Sequence, residues 1–197
     1  MKTKLFLLFF CVPLLLYGQT RTISNTATYF GAKYIYNPAP PWYTLQTSST
    51  SIDVGNWGGQ NGSSRGRGFL KFNVSSITTN ELNLMYKAEL VFNCGVASTS
   101  EDQSVKISLS QKTDVNLNAT TAYSDLGSSN NLLIATAKLK GSTDGIRIPI
   151  DKKIVSDFRN ANPIAPIPIC LVHSDEINNG IIIGCISNCR YLKLLYL

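Results

Sequence analysis

The chain has 197 residues, of which 15% are charged, and its formal net charge is +6. This length allows one domain with a sizeable hydrophobic core. The excess of positive charge is small and no run of lysine or arginine forms a basic patch, so we expect no nucleic-acid partner.

Residues 1–18 have the pattern of a secretory signal peptide. Two lysines precede an almost unbroken apolar run over 5–17, and polarity returns after the small residue Gly18. The run is shorter than the roughly 20 residues that a membrane-spanning helix needs. We therefore predict cleavage after Gly18 and export, which leaves 19–197 as a single domain without a membrane span. An uncleaved anchor or a buried amino-terminal strand is the alternative.

The exported part consists of short apolar segments separated by loops rich in serine and glycine. In one segment Ala88, Leu90, Phe92 and Cys94 fall on the same face, which is the period of two that marks a half-buried strand. The predicted strands are Ala27–Tyr36, Gly68–Val74, Lys87–Val96, Ser104–Gln111, Leu132–Leu139, Gly145–Ile150, Ile164–Val172, Asn178–Cys185 and Arg190–Leu197. The predicted loops are Gln46–Ser51, Gly58–Ser64, Ala97–Gln103 and Ser124–Asn131.

Many short strands at regular spacing predict an all-β fold, an antiparallel β-sandwich of the jelly-roll type. We expect at most one short helix. It would begin at Asp151 as its N-cap, because Ile154, Val155 and Phe158 follow at helical spacing.

Four cysteines remain after cleavage of the signal, namely Cys94, Cys170, Cys185 and Cys189. An even number in an exported chain suggests disulfides, and four cysteines allow three pairings. We favour Cys185–Cys189, which flank a turn between two strands, with Cys94–Cys170 as the second pair. Free thiols are the alternative. A zinc site has little support, since the chain has one histidine and no Cys-x-x-Cys pair.

The segment Arg67-Gly68-Phe69-Leu70-Lys71-Phe72-Asn73-Val74-Ser75-Ser76-Ile77 resembles the signature of DNRLRE-type domains, a carbohydrate-binding module family. Ala88-Glu89-Leu90-Val91-Phe92 fits the Ala-x-Leu-x-Leu element that follows in that family. Asn73 stands where the family has aspartate, and its tryptophan-rich middle element is absent between Val105 and Leu139. The resemblance implies a jelly-roll sandwich on an extracellular protein, with carbohydrate as its ligand.

The residues give no sign of catalytic chemistry. His173, the one histidine, follows an apolar strand, and we expect it in a solvated loop. No two carboxylates are paired as a glycosidase requires, and no phosphate-binding loop occurs. A calcium site at Asp53, Asp102 or Asp144 has little support, because no closely spaced oxygen ligands accompany these residues in the sequence. We therefore predict a protein that is not an enzyme and holds no metal or cofactor.

Two aromatic stretches are the candidate ligand site. Trp42 and Tyr43 follow two prolines that keep the chain extended, and Trp57 and Gln60 lie in a glycine-rich stretch. Arg65 could supply a charged partner if the two stretches adjoin. In the alternative, Trp42 and Tyr43 close one end of the sandwich, and the stretch around Trp57 is a flexible surface loop.

The sequence thus predicts a secreted, non-catalytic module that binds polysaccharide at the cell surface or in the extracellular matrix. A protein with a positive net charge would also attract an acidic polysaccharide. The alternative is a structural or adhesive extracellular subunit that assembles through protein contacts and binds no sugar.

Overall fold

The structure, a computed structural model, shows two antiparallel β-sheets packed face to face. It describes residues 18–27, 31–37, 39–47, 52–59, 62–92, 103–112, 118–139, 146–174 and 190–196. The strands in these ranges are β1 (Gln19–Ser24), β2 (Gly31–Asn37), β3 (Trp42–Leu45), β4 (Gly55–Gly59), β5 (Gly62–Phe72), β6 (Met85–Phe92), β7 (Gln103–Leu109), β8 (Leu132–Leu139), β9 (Ile146–Ile150), β10 (Ile167–His173) and β11 (Arg190–Tyr196). The helices are α1 (Thr79–Leu84), α2 (Ala119–Leu126) and α3 (Lys152–Ala161).

The strand order is that of a jelly roll. The first sheet runs β1-β11-β6-β9, and the second runs β3-β2-β5-β10-β7-β8 with β4 also paired to β5. Apart from β2, β3 and β4, the strands form two groups of four, β1-β11-β6-β9 and β5-β10-β7-β8. Successive strands are divided between the groups as in two Greek keys. The predicted all-β sandwich is confirmed, and β2, β3 and β4 are an insertion that widens the second sheet.

The core between the sheets follows the predicted alternation. Leu70 and Phe72 of β5 are fully buried against Leu90 of β6 and Leu192 of β11 within one cluster. The alternation is clearest in β10 and β11, which contribute every second residue to this core: Ile167, Ile169 and Leu171, and Leu192, Leu194 and Tyr196. We call the faces that the two sheets turn toward each other inner, and the opposite faces outer.

A second, smaller cluster lies on the outer face of the second sheet. Phe69 and Cys170 project there, and α2 covers them with Ala122, Tyr123 and Leu126. These three positions fall on one side of a helix, which explains why α2 packs on the sheet. The described residues thus contain two helices more than expected, α1 and α2. The second of them includes the first part of the predicted loop Ser124–Asn131.

Side-chain caps mark the start of each described helix, with Asn118 at α2. Asp151 is the N-cap of α3, as predicted, and its side chain accepts a hydrogen bond from Lys153 N at 2.8 Å. At α1, Thr78 and Glu81 form a capping box, a pattern that the sequence analysis overlooked. The predicted loop Gly58–Ser64 is also a correction, because Gly58 pairs with Ser63 in the β4–β5 hairpin.

Cys170 is a free, buried cysteine on the outer face of β10. Burial raises the pKa of its thiol to about 12, so the thiol stays protonated near neutral pH. Cys94, Cys185 and Cys189 lie outside the described residues, as does the predicted strand Asn178–Cys185. Both disulfide pairings therefore remain predictions.

The described residues contain no helix with the length and apolar character needed to cross a membrane.

Glu89 gives the fold a testable dependence on pH. It lies on the outer face of β6 and is 6% exposed, with Lys87 Nζ at 2.7 Å and Arg147 Nη1 at 3.5 Å. The hydrogen bond from Lys87, with the positive charges of Arg147 and Lys193, lowers the carboxyl pKa below 4.5. Because the folded state holds the proton less tightly than the unfolded state, this stabilisation is present above pH 4.5 and is lost as the pH falls through the folded pKa.

We therefore expect Glu89→Gln to lower the Tm near neutral pH. The variant should then lose less Tm than the parent between about pH 7 and about pH 3, because Glu89 no longer titrates. Asp157→Asn is the control, since its ion pair with Lys153 is exposed and such pairs contribute little. Thermal melts across this pH range measure the effect, and equal losses in parent and Glu89→Gln would contradict it.

Candidate ligand-binding face

Tyrosine rings gather on the outer face of the second sheet. Tyr34 of β2 lies opposite Tyr43 of β3 and opposite Arg65 of β5, so the three side chains stand side by side. The ring centroids of Tyr34 and Tyr43 are 4.9 Å apart, and that of Tyr36 is 6.0 Å from Tyr34. Tyr123 of α2 joins them, with its centroid 5.6 Å from that of Tyr43. We call these four residues the tyrosine strip.

Polar groups meet at one end of the tyrosine strip. The hydroxyl of Tyr36 donates a hydrogen bond to Asn56 Oδ1 at 2.7 Å, and Asn56 lies opposite Arg65 in the sheet. The guanidinium carbon of Arg65 is 5.2 Å from the centroid of the Tyr36 ring, a cation–π distance. Arg65 Nε is buried and has no hydrogen-bond partner among the described residues. An amide, a hydroxyl and a guanidinium are therefore grouped beside an aromatic surface.

At the other end of the tyrosine strip, Arg67 of β5 links α2 to the sheet. Its Nη1 donates to the carbonyl of Tyr123 at 2.6 Å, and its guanidinium carbon lies 4.0 Å from the centroid of the Tyr123 ring. A cation at the carboxyl end of a helix also interacts favourably with the helix dipole. A side chain at position 127 would collide with this guanidinium, which explains the glycine there.

The structure brings together two of the five predicted ligand residues. Tyr43 and Arg65 belong to this face. Trp42 lies opposite Ile35, on the other face of β3 from Tyr43, and is 44% exposed. Trp57 lies in β4 opposite Ser64, and its side chain is outside the described part of the structure, as is Gln60. Since Trp42 is exposed and Tyr43 lies on a sheet face, the two do not close an end of the sandwich.

Sequence reasoning missed Tyr34, Tyr36 and Tyr123. The first two had a visible signal, because Tyr34 and Tyr36 alternate with Lys33 and Ile35 in a predicted strand. Tyr123 had none, since it lies in a helix that was not predicted.

His173 is a correction. It is 4% exposed and ends β10, where it pairs with Val105 of β7. The expectation of a solvated loop was wrong because β10 continues one residue beyond the predicted strand. No group of three or more metal-ligating side chains occurs among the described residues.

Comparison with known proteins gives no further direction: no family model matches the chain, and no curated protein matches it. The resemblance to DNRLRE-type domains therefore stays a hypothesis that rests on its motif residues.

Proposed function

We propose that this protein is a secreted, non-catalytic module that binds polysaccharide at the cell surface or in the extracellular matrix. The observation that carries the proposal is the tyrosine strip with Arg65 and Asn56 at its end. A sugar ring has apolar C–H faces edged by hydroxyls. Its binding sites therefore combine flat aromatic surfaces with a few hydrogen-bonding groups.

The composition of this face favours binding over catalysis. Its side chains are aromatic rings, an amide and guanidinium groups, and none of the named residues is a carboxylate. Glycoside hydrolysis uses two carboxylates on either side of the scissile bond. The proposed site therefore has groups that can hold a sugar but no acid–base pair.

Paired variants of β3 test this proposal. Tyr43→Ala removes a ring of the tyrosine strip, whereas Trp42→Ala removes an exposed ring from the other face of the same strand. A glycan array with the purified mature protein first identifies a ligand, and calorimetry then measures its affinity. We expect Tyr43→Ala to weaken binding about fivefold to thirtyfold and Trp42→Ala to change it less than about twofold.

The reverse result would place the site on the face of Trp42. If no glycan binds the parent protein, the proposal is wrong.

A structural or adhesive subunit is the second candidate, and one observation favours it. Leu132 and Leu133 are 58% and 53% exposed on β8, an edge strand of the second sheet. Exposed apolar side chains on a sheet edge are typical of surfaces that contact other proteins. A register shift next to Leu133 and the exposed Lys138 oppose direct strand pairing along this edge. A size measurement in solution, run beside the glycan array, distinguishes the two functions.

A further inference from the structure

A groove of about 480 Å³ occupies the other half of the face that carries the tyrosine strip. Its floor is formed by β10, β7 and β8, and the end of α2 forms one wall. The residues that decide its chemistry are Arg67, Lys106, Ser108, Ser129 and Ser174. We call it the β7 groove, after its central strand.

The β7 groove is positively charged. Lys106 lies between Val172 of β10 and Thr136 of β8, and Arg67 lines the wall beside α2. The lining residues include these two cations and no carboxylate. Within the described part of the chain, Lys106 has no ion-pair partner. A site with this lining favours an anionic ligand.

Serine hydroxyls line the groove together with Lys106. Ser108 follows two residues later on the same face of β7, and Ser129 lies after α2. Ser174 Oγ is buried without a hydrogen-bond partner among the described residues. A buried hydroxyl of this kind costs stability unless a ligand or water satisfies it.

The available donors match a tetrahedral anion better than a carboxylate. Planar, two-oxygen recognition of a carboxylate needs both arms of an arginine, but Nη1 of Arg67 is already bonded to Tyr123 O at 2.6 Å. The amide nitrogen of Asn131 is also occupied, by the carbonyls of Asp125 and Leu126. What remains is an ammonium and several hydroxyls that approach from different sides, which suits the three terminal oxygens of a sulfate or phosphate ester.

We infer that the β7 groove binds a sulfate or phosphate group carried by the ligand of the tyrosine strip. This inference rests on the proposed function and narrows its substrate class to polysaccharides that bear such groups. The sheet order places the strip on β2 and β3 and the groove on β10, β7 and β8. α2 covers Phe69 of β5 between them, so a single chain would reach both by crossing β5 beside α2, on the side of Arg65.

The anion site can be tested without knowing the sugar. Inorganic sulfate, inorganic phosphate and acetate are titrated separately into the protein at constant ionic strength, and backbone amide shifts are followed by NMR. We expect saturable shifts at Lys106, Ser108 and Ser174 with sulfate or phosphate and none with acetate. Lys106→Gln should weaken this binding at least about tenfold, and Ser174→Ala should also weaken it. Lys153→Gln on α3, which is 74% exposed, is the control with the same change in net charge.

Comparing the affinity for sulfate with the affinity for phosphate shows which ester group the groove prefers. Shifts with acetate equal to those with sulfate, or an effect of Lys153→Gln equal to that of Lys106→Gln, would overturn the inference.

A sulfated galactan oligosaccharide and its desulfated form, or a phosphorylated pair if phosphate binds better, then connect the groove to the strip. We expect the oligosaccharide without the ester to bind the parent protein at least about tenfold more weakly. The Lys106→Gln variant should bind the two oligosaccharides with nearly the same affinity. If only the free anions bind, the anion site stands and the polysaccharide function fails. If both oligosaccharides bind equally, through Tyr43 and independently of Lys106, the function stands and this inference fails.

Discussion

Replacing Phe72 with alanine is expected to lower the free energy of unfolding by about 3–5 kcal/mol. Phe72 has no exposed surface and lies at the end of β5, where it packs in the core between the two sheets. The loss combines the transfer energy of the ring with the cavity that remains, because surrounding strands cannot close around it. Chemical denaturation followed by circular dichroism measures the change.

Leu132→Ala is the matched control, since it also truncates a large apolar side chain but at a position 58% exposed. Its cost should stay within about 0.5 kcal/mol. A cost below about 1 kcal/mol for Phe72→Ala would mean that β5 has the opposite register and that Phe72 faces solvent.

Gly31→Ala is the second substitution with a large expected effect. Gly31 has a φ of +143°, and a Cβ there would overlap the carbonyl oxygen of Arg67 on the neighbouring strand. The new methyl group meets backbone in the middle of a sheet, so strands must separate, and the backbone strain adds to the clash. We expect a loss of about 2–5 kcal/mol of stability, measured by the same denaturation experiment.

Gly127→Ala provides the comparison for Gly31→Ala. Its φ is −98°, and the group in the way is the guanidinium of Arg67, which can move. The expected loss is therefore smaller, about 1–2 kcal/mol, mainly from the broken contact between Arg67 and α2. If the two variants lose equal stability, the close approach of β2 and β5 at Gly31 is wrong.

The strands that could be predicted are those in which buried apolar side chains alternate with exposed ones along the sequence. Leu90 in β6 and Leu192 in β11 belong to runs in which apolar residues recur at every second position, and both are fully buried. β1 has only Ile23 as a buried apolar residue among threonines, and β4 is mostly glycine, so neither has a readable pattern. β1 pairs with β11 and β4 pairs with β5 through backbone hydrogen bonds. The side chains of β1 and β4 carry no pattern that predicts this pairing.

α2 was missed for a related reason. Its threonines, serine and aspartate resemble a loop in composition. Ala122, Tyr123 and Leu126 mark its buried side, but eight residues give too few turns for the helical period to stand out against that composition. The helix is stabilised by its packing on Phe69 and Cys170, which are distant in sequence.

The candidate site was predictable only in part, because it depends on register. That Tyr43 and Arg65 flank Tyr34 follows from the pairing of β2 with both β3 and β5. Sequence indicates which residues are aromatic and which of them share a face of one strand. It does not indicate which strands are neighbours. It therefore could not show which of Trp42 and Tyr43, on opposite faces of β3, belongs to the candidate site.

The inserted position of β2 and β3 has a consequence for how this protein could be altered. None of the described residues of these two strands belongs to the core between the sheets. The proposed binding residues on these strands are thus separate from the core between the sheets. A library of variants at Tyr34, Tyr36 and Tyr43 could be screened for new ligands on an unchanged jelly roll, with most members expected to remain folded.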